Sequence, residues 1–96
     1  MAASAILAAG TTAATSSAVT LADGESTNLV VFEAAGGSIP PDAVFDVKMA
    51  NSAGGYTLLK RMTGGEFACG VDGPGVFYVD RNFTGASGAS LGVDRN

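Results

Sequence analysis

The stretch Val76-Phe77-Tyr78-Val79-Asp80-Arg81-Asn82-Phe83 decides how this chain is read. Phe77, Val79, Arg81 and Phe83 alternate with Val76, Tyr78, Asp80 and Asn82. That period of two sets successive side chains on opposite faces of a strand. Immediately before it stands Asp72-Gly73-Pro74-Gly75, the densest turn signal in the chain. The same grammar repeats outward. Ala43, Phe45, Val47 and Met49 alternate with Val44, Asp46, Lys48 and Ala50. After a Gly-containing turn at Asn51–Gly55, Tyr56–Met62 opposes Tyr56, Leu58 and Lys60 to Thr57, Leu59 and Arg61, so the two runs predict a hairpin. Ser17–Leu21, Glu66–Val71 and Ser90–Asp94 are shorter strands, the last pairing with a sheet edge. Ser26–Glu33, with Leu29, Val30, Val31 and Phe32 in succession, predicts a strand covered on both faces. About seven short strands spaced by turns every 8–12 residues predict an all-β chain, a small antiparallel β-sandwich or barrel. Phe45, Val47, Phe77 and Val79 are its expected core.

Composition sharpens this. The 96 residues suffice for one small domain, which buries about 60–65 % of its unfolded surface. Ala, Gly, Ser and Thr supply about half the chain, and small side chains bury little area each. They concentrate in loops and in residues 1–16, which carry no charge and only Ile6 and Leu7 as sizeable apolar groups. Residues 1–16 therefore read as a flexible arm and 17–96 as a single β-sandwich domain. The segment lacks the leading basic residue and long apolar run of a secretory signal, and reads as part of the working protein. On this reading, removing residues 2–16 leaves the domain folded and abolishes docking to a partner.

Function classes fall away on residue types. With no histidine, neither a Ser-His-Asp nor a Cys-His site can be built. The lone Cys69 can form neither an internal disulfide nor a cysteine-based zinc site, and reads as a small strand residue. Five Lys and Arg in a chain of net charge −4 are scattered, so no nucleic-acid footprint is expected, and no apolar run approaches a membrane span. Asp23-Gly24-Glu25 and Asp72-Gly73 hold only fragments of a calcium loop and read as turns. The glycine pairs at 36–37, 54–55 and 64–65 lack the Lys-Ser/Thr and following helix of a phosphate loop. Nothing fixes a carboxylate pair for glycoside hydrolysis. Tyr56, Tyr78 and the five phenylalanines are assigned to the core because the chain has so little other bulk. No catalytic residue, metal or cofactor is expected.

What remains is contact chemistry. Ile6 and Leu7 in the arm, and Ile39 with Pro40 and Pro41 in the loop that follows Gly36-Gly37, are candidate partner-binding groups. Two Asp-Arg dipeptides, Asp80-Arg81 and Asp94-Arg95, are further candidates for setting register between strands or with a partner.

Three segments carry a resemblance: Val19-Thr20-Leu21-Ala22-Asp23-Gly24-Glu25-Ser26, then Gly73-Pro74-Gly75-Val76-Phe77-Tyr78-Val79-Asp80-Arg81, then Leu91-Gly92-Val93-Asp94. Together they resemble the small β-rich structural proteins of tailed bacteriophage virions, over about residues 17–96. Val79 departs from the pattern, since many such chains carry a basic residue after the tyrosine. The resemblance implies a capsid decoration (cement) protein on the outer surface of the shell, bridging major capsid proteins and neighbouring copies of itself as a homo-trimer or other symmetric cluster. The alternatives are another virion part (a head fibre base, neck or tail component) and a receptor- or glycan-binding β-sandwich module. The glycan-binding module is expected to show an exposed aromatic platform.

Overall fold

A computed structural model describes residues 3–96. The chain is all-β, with nine strands among the described residues. They are β1 (Ser4–Gly10), β2 (Ala14–Thr15), β3 (Val19–Leu21), β4 (Ser26–Glu33), β5 (Val44–Ala50), β6 (Tyr56–Met62), β7 (Ala68–Asp72), β8 (Gly75–Phe83) and β9 (Leu91–Arg95). One antiparallel sheet has the order β1-β9-β4-β7. The other has the order β2-β8-β5-β6, with β3 also lying along β8 beyond β2. The smallest dimension of the molecule is 20 Å, the thickness of two stacked sheets about 10 Å apart with their outer side chains.

The predicted alternation places the core. Phe45 and Val47 of β5, Phe77 and Val79 of β8, Leu29 and Val31 of β4, and Leu91 and Val93 of β9 all face inward and are buried. The β5–β6 hairpin forms as predicted. Its loop is held by Asn51, whose side-chain carbonyl accepts the N–H groups of Ala53 and Gly55. β4 departs from expectation. It alternates, with Thr27, Leu29 and Val31 buried and Val30 and Phe32 only half-buried, so it is not covered on both faces. Phe32 lies on the outer face over Gly92, where a Cβ would meet the ring at 2.6 Å. A side chain at 92 would displace that ring. β9 pairs with β4, as expected of a closing strand that joins a sheet, and β1 covers its other side, which makes it interior.

The largest correction concerns residues 1–16. Met1 and Ala2 lie outside the described residues. From Ser4 onward the segment is built into the sandwich and is not a free arm. β1 pairs with β9, β2 pairs with β8, and Ile6 is part of the core. The physical reason is that a charge-free strand with one inward isoleucine needs little burial of its own when neighbouring strand edges supply its hydrogen bonds. Ser16 and Ser17 anchor the crossing between sheets. Ser16 N–H donates to the Val79 carbonyl at 2.9 Å and its hydroxyl accepts the Val79 N–H at 2.9 Å, while Ser17 N–H donates to the Ile6 carbonyl. Removing residues 2–16 therefore strips an edge strand from each sheet and uncovers core, contrary to the expectation of an intact domain.

Phe77 sits centrally in β8 and is 2 % exposed. Replacing it with alanine should lower the unfolding free energy by about 3–5 kcal/mol, measured by urea denaturation. A cost under about 1 kcal/mol would reverse the assignment of the inner face.

Candidate functional site

The sequence-predicted contact residues do not converge on one surface. Ile6 is buried in β1, and Leu7 and Ile39 pack against the core, so none of the three is a free contact group as expected. Pro40 and Pro41 belong to a braced loop end. The Pro40 carbonyl accepts from Ala43 N–H, the Pro41 carbonyl accepts from Gly64 N–H, and Asp42 accepts from Ala86 N–H at 2.9 Å. Asp94 and Arg95 are half-buried on β9, in register with Ala5 and Val30 and with Ser4 and Leu29 respectively. Among the described residues no ion pair links the two Asp-Arg dipeptides.

Arg81 reverses its expected role. It is 5 % exposed. Its Nε donates to the Thr12 carbonyl at 2.6 Å, and its Nη1 donates to the carbonyls of Ala8 at 2.8 Å and Leu91 at 2.9 Å. One guanidinium thus ties β8 to β9 and to the turn between β1 and β2. Gly10 is required by the same contact, since a Cβ there would fall 2.7 Å from Arg81 Nη2. Strand alternation had put Arg81 on the Phe77–Val79 face, and the planar, weakly hydrated guanidinium tolerates that position because carbonyl oxygens meet its donors.

The outer face of the β2-β8-β5-β6 sheet carries the chemistry. Asp80 accepts from Thr15 Oγ1 at 2.7 Å and pairs with Lys48 Nζ at 2.9 Å. Lys48 Nζ also lies 4.2 Å from the centroid of the Tyr56 ring, and Tyr56 meets Tyr78 edge-to-face with centroids 5.5 Å apart. Next to this row, Arg61 grips Asp46 with both Nε (2.8 Å) and Nη2 (3.0 Å), and Asn82 Nδ2 donates to the same carboxylate at 2.7 Å. Asp46 and Asp80 stand directly opposite each other in the β5–β8 register. Like charges so placed repel, and each is offset here by its own cation. An open groove of about 370 Å³ runs beside them, lined by Ala14, Thr15, Lys48, Asp80, Arg81 and Asn82.

The core assignment of the tyrosines is corrected: Tyr56 is 54 % exposed and Tyr78 half-buried on this outer face. A register shift between Val44 and Phe45 sets Phe83 opposite Val44, and Phe83 is likewise exposed. The signal for Tyr78 was present in its alternation with Phe77 and Val79. The shift that turns Phe83 outward has none. A second shift, between Val47 and Lys48, inserts Leu59 as an extra residue in β6 and leaves Leu58 and Leu59 exposed on the open edge of the sheet. Cys69 is half-buried in β7 and packs against the core.

The acidic groups whose titration is displaced both lie outside the core. Glu33 is held below the usual carboxylate range by the N–H groups of Ala35 and Gly37. Asp46 is held low chiefly by its hydrogen bond with Arg61, helped by Asn82 and opposed by partial burial. A carboxylate whose pKa is depressed on folding contributes stability above its unfolded value, about 3.9, and that contribution is lost as pH falls through the lower folded value. Arg61→Ala should raise the Asp46 pKa, read by NMR titration. It should leave the urea midpoint at pH 7 close to that of wild type, because the pair is solvent-exposed on the Arg61 side. Arg81→Met, which removes three buried or part-buried hydrogen bonds to carbonyls, should cost about 3 kcal/mol in urea denaturation, with Arg81→Lys recovering only part of it. A cost near zero would mean that the guanidinium does not hold the β1–β2 segment. Compared with known protein families, characterised proteins and solved structures, the chain matches none.

Proposed function

We propose that this chain is a non-enzymatic structural protein of a tailed-phage virion, of the capsid decoration type. In this reading it docks on the outer surface of the shell and bridges major capsid proteins. The observation that carries the reading is the free edge of β6. β6 is the terminal strand of its sheet, and Leu58 and Leu59 on it are 57 % and 44 % exposed. An unpaired edge bearing large apolar side chains is a pairing template that a protein acting alone usually blunts. Here the two leucines stand beside Lys60 and Arg61, apolar groups with a charged border, as in the centre and rim of a docking patch.

The resemblance noted at Val19–Ser26, Gly73–Arg81 and Leu91–Asp94 supports the same class. Each of the three supplies strand or turn to the sandwich. A small patch per copy suffices when copies repeat over a lattice, because a symmetric cluster binds through several weak contacts at once.

Cryo-electron microscopy of particles from the phage that encodes the chain tests this. Density for the sandwich is expected at repeated positions on the outside of the shell. The double substitution Leu58→Glu/Leu59→Glu should cut occupancy about tenfold or more while the isolated variant unfolds within a few degrees of wild type, since both positions are exposed. Density confined to one vertex or to the tail would assign the chain to another virion part, and undiminished occupancy of the variant would remove β6 from the interface.

A further inference from the structure

From the outer face of the β2-β8-β5-β6 sheet we infer a second binding site, one that takes a neutral carbohydrate chain. It lies on the face of the sheet, away from Leu58 and Leu59 of the β6 edge although Tyr56 and Arg61 also belong to β6, and it does not depend on the virion reading.

Three features of the face define the ligand. The first is aromatic. Tyr56 is 54 % exposed, is braced by Tyr78 edge-on at 5.5 Å, and has Lys48 Nζ 4.2 Å from its ring centroid. A fixed ring with free surface offers a flat apolar platform beside a polar field, which matches the C–H face of a sugar ring. Phe83, also exposed, stands on the same face beyond Asn82. The five steps from Tyr78 to Phe83 set the two aromatic ends roughly 15 Å apart along the strand. That spacing suits an extended oligosaccharide better than a single sugar.

The second feature is the polar field between those ends. Asp80, Asp46, Asn82, Thr15 and Lys48 project onto one surface beside the open groove of about 370 Å³, a volume at the small end of ligand sites. Each carboxylate has about four acceptor sites. Thr15 and Lys48 engage Asp80, and Arg61 and Asn82 engage Asp46, so acceptor capacity remains on both for ligand hydroxyls. The network also holds these side chains in place before a ligand arrives, which lowers the ordering cost of binding.

The third feature is the charge balance, which excludes other ligand classes. Lys48 is neutralised by Asp80, and Arg61 by Asp46. An anionic ligand would meet two carboxylates, while Arg81, the remaining cation of the lining, is 5 % exposed and turns Nε and Nη1 to backbone carbonyls. The groove walls are mainly polar side chains, which disfavours an apolar ligand. Among the described residues no three acidic or cysteine side chains gather to hold a metal ion. A neutral polyhydroxyl chain satisfies the aromatic, acceptor and charge features together.

The full chain, labelled with nitrogen-15, should be titrated by NMR with cellohexaose, maltohexaose, chitohexaose and laminarihexaose, and with a heparin hexasaccharide as the anionic comparison. At least one neutral probe is expected to shift the amides of Tyr56, Tyr78, Asp80 and Asn82 at millimolar concentration. Tyr56→Ala and Asn82→Ala should each weaken that binding about tenfold while keeping a wild-type spectrum elsewhere. Leu59→Glu should leave it unchanged, so that failure of shell docking and failure of sugar binding are read separately. The inference is overturned if no neutral probe shifts this face, if the shifts map elsewhere, if Tyr56→Ala binds as wild type, or if the heparin fragment binds more tightly than every neutral probe.

Discussion

The guanidinium of Arg81 is the constraint on which the rest of the sandwich depends. It reaches carbonyls in three segments of the chain, two of them 69 and 73 residues away in sequence. Burying a charged group is costly unless its donors are met, and here backbone oxygens meet them. Three backbone carbonyls from β1, the β1–β2 turn and β9 are drawn together at the same stroke. The consequences reach outward. Gly10 must lack a side chain to let the guanidinium pass, β1 is held against β9, and the strand order of both sheets is completed by residues too small to hold themselves there.

Alternation then divides the labour between faces. The inner faces of β4, β5, β8 and β9 supply the centre of a lean core, which Ile6, Val19, Leu21, Met62, Phe67 and Val71 complete from the other segments. The outer face of the β2-β8-β5-β6 sheet keeps what the core did not use: two tyrosines, an exposed phenylalanine, and two compensated carboxylates placed opposite each other. The same arrangement leaves β6 as an open edge. Face and edge are different kinds of surface, one polar with aromatic ends and one apolar with a charged border. They adjoin at β6, which supplies Leu58 and Leu59 to the edge and Tyr56 and Arg61 to the face.

Much of this was legible in advance. The seven strands from Val19 to Arg95 follow from period-two patterns and turn residues, and Phe45, Val47, Phe77 and Val79 lie where the pattern sets them. Tyr78 was equally legible from its neighbours. The competing signal is composition: a chain so short of bulk argues for every aromatic ring inside. Ile6 and Leu7 were misread for a related reason: alone among small uncharged residues, they look exposed until a partner edge is in view. The register shifts at Val44/Phe45 and Val47/Lys48 left no trace in the pattern, because one extra residue changes pairing without changing composition.

The sequence by itself determined the all-β class, the strand positions beyond residue 17, and which side of β5 and β8 is apolar. These are local properties, set by backbone geometry and by the preference of large side chains for burial. Tertiary structure alone decided that residues 4–10 and 14–15 are strands, that β9 is interior, that Arg81 is a clasp, and that Tyr56, Tyr78 and Phe83 share a surface. Each of those depends on hydrogen bonds or pairings between residues far apart in the chain. A backbone carbonyl is the same at every position, so nothing in the order of side chains marks which ones a distant guanidinium will bind.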